Sequence, residues 1–132
     1  TLPHEVVMVG VVPHMHLLGK SMKVTATLPS GEKKTLIDVQ VWNYNWQDEY
    51  YYERPFKLPK GTKLEVEALF DNSKENPSNP SSPPKRVTWG DGTTDEMLFC
   101  FFLLTSEKTE DLISVILDNL KHDAKQPRRE VS

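Results

Sequence analysis

His14 and His16, one residue apart in the stretch PHMHLLGK, are the side chains whose type and spacing best suit chemistry. On a β-strand, residues i and i+2 point to one face with Cα atoms roughly 7 Å apart, so both imidazoles can converge on a single metal ion. The pair also has a purely structural reading, as hydrogen-bonded or exposed side chains at a strand end with Met15 turned to the core. Much further along the chain, VTWGDGTTDEM leads into the apolar run LFCFF. Its Met97, taken alone, reads as a core side chain entering a strand. Two imidazoles with one thioether would make a soft, neutral donor set, suited to Cu(I) rather than Zn(II) or a hard, oxygen-seeking cation.

The elements that would position these residues show mostly a period of two. Met22, Val24, Ala26 and Leu28 alternate with Lys23, Thr25 and Thr27, the pattern of a strand with one face buried. Pro29-Ser30-Gly31 marks a turn, and Leu36 to Trp42 returns as the next strand. After the turn signal Pro59-Lys60-Gly61, residues Leu64, Val66, Ala68 and Phe70 alternate with Glu65 and Glu67. Val6 to Val12 and Met97 to Leu104 lack alternation and read as central strands covered on both faces. The fold expected is all-β, an antiparallel β-sandwich or jelly roll. Residues 71–86, DNSKENPSNPSSPPKR, form a long proline-stiffened loop. Leu112, Ile113, Ile116, Leu117 and Leu120 recur at helical spacing, with Ser106 or Thr109 as N-cap and Glu110 and Asp111 in the first turn, giving one C-terminal α-helix. The polar tail KQPRREVS follows it.

A chain of 132 residues forms one domain that buries roughly two thirds of its unfolded surface. Residues 1–106 make up the β-sandwich, and 107–132 add the helix and tail as part of it or as a docking element. A net charge of -3 with dispersed Lys and Arg argues against a nucleic-acid partner, and no basic amphipathic helix points to a membrane surface. The longest apolar run is too short to span a bilayer. Opening at Thr1 in a strand-like run, the chain reads as a domain excised from a larger parent. Its lone Cys100 excludes an internal disulfide and a cysteine-based zinc site.

The set HMHLLGKSM, WNYNWQ, LPKGT, FDNS and GTTDEM resembles the C-terminal domain of the copper type II, ascorbate-dependent monooxygenases, the family of peptidylglycine α-hydroxylating and dopamine β-monooxygenases. The likeness spans residues 5 to about 104 and is nearest the bacterial-type members. It implies an antiparallel jelly roll, with His14, His16 and Met97 as the three ligands of the catalytic, oxygen-binding copper. It also implies hydroxylation of a C–H bond in a small-molecule substrate with O2, ascorbate or another reductant, and a second copper held by three histidines on a preceding domain. By the same analogy the parent is periplasmic or extracellular.

Departures from the family pattern shape these expectations. Only His4 and His122 remain for a second copper site. They read as surface residues, so the isolated chain is not competent for turnover. Peptide-hydroxylating members carry Arg two residues before the first ligand His and Tyr four after the ligand Met; here those positions are Val12 and Phe101. Without a cationic clamp, a carboxylate is not oriented bidentately. The family disulfide beside the ligand Met is also lost, with Ala68 and Leu98 at the matching positions, leaving Cys100 as a buried free thiol.

Trp42, Trp46 and Trp89 read as core or rim packing, or as a sugar-binding surface. Asp95 and Glu96, adjacent on a strand, face opposite ways and cannot form a paired acid and base. Asp71, Asn72 and Asn76 suit Asx turns more than a Ca(II) site. The stripe of residues 112–120 packs on the sandwich or docks a neighbouring domain. Two other function classes remain: a non-catalytic copper module for storage or delivery, and a metal-free sandwich that binds glycan or protein.

Overall fold

A computed structural model describes residues 1–125, with side chains as far as Lys121. Its elements in chain order are β1 (Val6–Met15), β2 (Gly19–Thr27), β3 (Lys33–Val39), β4 (Tyr50–Leu58), β5 (Lys63–Phe70), β6 (Leu98–Thr105) and α1 (Thr109–Lys125). They form two three-stranded antiparallel sheets, ordered β4-β1-β6 and β3-β2-β5. The expected all-β sandwich with one C-terminal helix is what the chain forms.

Alternation explains the layers. Val6, Met8, Val11 and Met15 of β1 turn inward to meet Met22, Val24 and Ala26 of β2, with Leu36 and Leu58 completing the core. Because β1 and β2 lie in different sheets, the short turn between them carries the chain from one layer to the other. Gly19 closes that turn with its N–H on the His16 carbonyl at 2.9 Å. A Cβ there would lie 2.9 Å from both Met15 Cβ and Trp42 Cδ1, so the tight crossing has no room for a side chain.

Two strands differ from the sequence reading. Residues 98–105 form an edge strand, not a central one: Phe99 and Phe101 stand exposed, while Leu98, Cys100, Phe102 and Leu104 pack inward. Unbroken apolarity here reflects one core face and one exposed aromatic face, which composition alone does not separate. The second difference is β4, whose YYYERPFKL lacks an alternating pattern. As an edge strand it accommodates Pro55, which falls in the irregular stretch between Tyr51 and Phe56 where no residue pairs with β1. The β1 pairing shifts register between Met8 and Gly10. A Cβ at Gly10 would approach the Tyr50 carbonyl oxygen to 2.5 Å.

The helix begins where Glu110 and Asp111 place negative charge at its positive end. Thr109 is its first residue, and the Ser106 hydroxyl accepts from the Lys108 N–H just upstream at 3.4 Å. Val115 packs against the core, but Ile113, Ile116, Leu117 and Leu120 are each about half exposed. Only part of the 112–120 stripe therefore seats on the sandwich. His4 tethers the helix from the N-terminal segment: Nδ1 lies 3.2 Å from Asp111 Oδ1 and Nε2 lies 3.1 Å from Ser114 Oγ. The His122 side chain and the tail from residue 126 lie outside the described residues.

Truncating Met8, which is fully buried, removes a core thioether without easy collapse. Met8→Ala is expected to cost about 2–5 kcal/mol in urea unfolding. Burial pushes the Cys100 thiol up to about 11 and, with a smaller contribution from Cys100, the Tyr52 hydroxyl up to about 12. Both groups keep their protons in the folded chain at pH values where the unfolded chain releases them. The stability so contributed is complete below about pH 9 and declines as pH rises through about 11. Urea midpoints measured across that window should fall, and fall less steeply in Cys100→Ala.

Candidate metal centre

Pairing of β1 with β6 sets Val12 opposite Phe101, His14 opposite Phe99 and Met15 opposite Leu98. The register continues one step past β1, where the His16 N–H donates to the Met97 carbonyl at 3.3 Å. Directly opposed residues share a face, so His16 and Met97 lie on the side away from the core that also carries His14 and Phe99. The histidine rings meet edge to face with centroids 5.2 Å apart. Unlike the rest of this face, the end of the strand is covered: His16 is 5% exposed and Met97 9%. The fold thus brings the three residues singled out by sequence to one corner of the sandwich.

Two loops hold the imidazoles. Residues 43–47 begin with an Asx turn, in which Asn43 Oδ1 accepts from the Asn45 N–H at 3.0 Å. The loop brings the Tyr44 ring edge-on to His16 and Gln47 to His14. Gln47 Nε2 donates to the Tyr44 carbonyl at 2.8 Å, which fixes the amide orientation because a carbonyl only accepts. Its Oε1 then faces His14 Nδ1 at 2.7 Å, so Nδ1 must carry the proton. On the other side, residues 88–97 fold back on themselves through Glu96 N–H to Thr88 O, Gly90 N–H to Glu96 O and Asp95 N–H to Gly92 O. Asp95 Oδ2 accepts from the Gly92 N–H at 3.1 Å, and the Asp95 carbonyl accepts from His16 Nδ1 at 3.1 Å.

Nδ1 of both rings therefore carries a proton, so in the neutral form of each ring Nε2 is the atom able to bind a metal. Among the described residues no group of three or more His, Cys, Asp or Glu could hold a metal ion. A metal here would rest on two imidazoles and the Met97 thioether, without oxygen donors from carboxylates.

The other residues considered from sequence fall elsewhere. Asp95 lies in a turn and serves through its backbone carbonyl and through its bond to Gly92. Trp42 packs against the core, whereas Trp46 and Trp89 are exposed and do not join it. Asp71, Asn72 and Asn76 are spent on folding the 71–86 loop, with Ser73 N–H on Asp71 Oδ1, Lys20 Nζ on Asp71 Oδ2, Asn72 on the Lys85 carbonyl and Asn76 on the Asp71 carbonyl. Bonds from Ser73, with Lys20 adding to them, hold the Asp71 carboxyl at about 2. Gln47 and the Asp95 carbonyl were not visible as site residues in the sequence. The only signal was the WNYNWQ stretch, whose role depends on tertiary closure.

Comparison with protein-family models, with curated proteins and with solved structures found no match.

Long-range proton–nitrogen NMR spectra of the histidine rings test the hydrogen-bond assignment without any metal. At a pH where both are neutral, His14 and His16 should each show the Nδ1–H tautomer. Gln47→Leu should release the preference at His14 and leave His16 unchanged.

Proposed function

We propose that this chain is the catalytic-copper domain of a copper-dependent monooxygenase, which hydroxylates a C–H bond with O2 and a one-electron reductant such as ascorbate. The observation that supports the reading is the pair of Nδ1 hydrogen bonds, which in the neutral rings leaves Nε2 as the lone-pair atom of two neighbouring imidazoles on the strand paired with Met97. Likeness of the surrounding motifs to the monooxygenase family supports the choice of metal and reaction, and the soft, neutral donor set favours Cu(I) over harder cations.

His14, His16 and Met97 would hold the ion. When bound, copper supplies the redox chemistry that places one oxygen atom of O2 in the substrate, the other leaving as water with two electrons and two protons consumed. The chain's own residues do the positioning. Gln47 and the Asp95 carbonyl orient the imidazoles and raise their donor strength. Burial of His16 and Met97 limits water on one side, while the exposed face beside His14 leaves an approach for substrate.

A second electron must come from elsewhere. His4 is engaged on both ring nitrogens by Asp111 and Ser114, and in this reading the family's second copper site would be carried by a preceding domain of the parent. The same fact favours a second reading, a copper storage or delivery module, which would use the same three ligands without turnover. A metal-free binding sandwich would leave the paired tautomers without a purpose.

Anaerobic Cu(I) titration of the purified chain separates these. One equivalent should bind, with a sulfur scatterer in the copper X-ray absorption spectrum that is lost in Met97→Ala. His14→Ala and Met97→Ala should each weaken binding at least about tenfold, and Gln47→Leu by about 10–100-fold. Unchanged affinity in both ligand variants would overturn the copper reading.

A further inference from the structure

His4, Asp111 and Ser114 form a hydrogen-bonded series that the copper reading does not use. Asp111 and Ser114 stand three residues apart on α1, so their side chains share a face, and the N-terminal segment lays the His4 ring across both. Nδ1 lies 3.2 Å from Asp111 Oδ1, and Nε2 lies 3.1 Å from Ser114 Oγ. A carboxylate only accepts, so Nδ1 carries the proton. In the neutral ring Nε2 is then the acceptor for the Ser114 hydroxyl. Lys57 lines the same recess as Asp111, but it is taken by Glu5 at 2.8 Å and Glu107 at 3.4 Å. Asp111 is thereby left to the imidazole. With side chains 36% and 26% exposed, His4 and Asp111 remain within reach of a small molecule.

Beside this series lies a groove of about 540 Å³ between the helix and the sandwich. Pro3, next to His4, and Val115, next to Ser114, line it together with Leu64, Leu104 and Ile116. Asp118, one turn beyond Ser114 on the same helix face, lines it too. We propose that Ser114 is a nucleophile with His4 as its general base and Asp111 as the residue that positions the ring, and that the groove takes the acyl group of a neutral aliphatic ester. Water is the second substrate. Ser114 Oγ adds to the ester carbonyl carbon while its proton passes to His4 Nε2; the bond to the leaving alcohol then breaks, and His4 returns the proton to that oxygen. Water next attacks the acyl-serine, with His4 again taking and returning a proton, which releases the acid and restores the hydroxyl. Apolar walls suit an alkyl chain, and Asp118 disfavours an anionic one. Because Ser114 lies inside the helix, its own N–H is bonded to the preceding turn and is not free for the developing oxyanion. The site therefore favours esters whose leaving alcohol is acidic, such as aryl esters. None of this depends on copper.

Two reagents read the nucleophile in the metal-free chain: an alkyl fluorophosphonate, followed by peptide mass spectrometry, and 4-nitrophenyl butyrate, followed by release of 4-nitrophenolate. The fluorophosphonate should modify Ser114 in the folded chain and leave it unmodified in urea. The butyrate should be cleaved at least about tenfold faster than by Ser114→Ala. His4→Gln, which keeps a hydrogen-bonding side chain, should slow both reactions at least about a hundredfold. Asp111→Asn should slow them at least about tenfold, and Asp111→Glu, which keeps the carboxylate, should slow them less, with urea midpoints confirming that each variant is folded in the assay. Absence of an adduct at Ser114 in the native chain would overturn the site, whatever the variants do. Equal labelling in His4→Gln would also overturn it and reduce the cluster to a tether for the helix. So would butyrate cleavage that persists in Ser114→Ala, which assigns the reaction to other imidazoles.

Discussion

Antiparallel pairing between β1 and β6 is the constraint from which the corner holding His14, His16 and Met97 follows. Its register puts His16 opposite Met97 and His14 opposite Phe99. A slip of one residue would turn every side chain of one strand to the other face, moving Met97 into the sandwich and Leu98 out of it. Core packing prevents that slip. Met8, Val11 and Met15 of β1 and Leu98, Cys100, Phe102 and Leu104 of β6 are held inward together, so the same burial that stabilises the fold also fixes which residues meet at the corner. The grouping of these side chains is thus a by-product of alternation on two neighbouring strands, completed by loops from outside the pair.

Those loops matter because a strand can bring two imidazoles together without choosing their tautomers. The choice comes from Gln47 and from the Asp95 carbonyl, each reaching a different ring from a different loop. Each contact is relayed. Gln47 is oriented by the Tyr44 carbonyl, and Asp95 by its bonds to Gly92. A Cβ at Gly90 in the second loop would displace the Asp95 carboxylate from its present position.

How much of this was legible from sequence depends on what each feature rests on. Alternation in Met22 to Leu28 and Leu64 to Phe70 is a local property, so β2 and β5 could be read directly, whereas the strand expected over Leu36 to Trp42 runs from Lys33 to Val39. The helix and the long loop could also be read directly, since they are marked by period and by proline. β4 was hidden because an edge strand tolerates Arg54 and Pro55 and does not need a regular apolar face. β6 was assigned to the sheet interior because its exposed rings and its buried ones are alike in hydropathy. At the site, His14 and His16 announce themselves by spacing, whereas Met97 does so only through a family resemblance. Gln47 could not be found at all, since a glutamine in a loop carries no local sign of the ring it will meet.

The crossing turn at His16–Gly19 has a mechanical corollary. One layer supplies both imidazoles through β1, while the loop that orients His14 leaves the opposite layer after β3. Any shear of the two layers would pull Gln47 away from His14 before it disturbed the backbone ladder of either sheet. The distance between that amide and that ring is in effect a gauge of how the layers are aligned, since the contact that orients the His14 ring spans them.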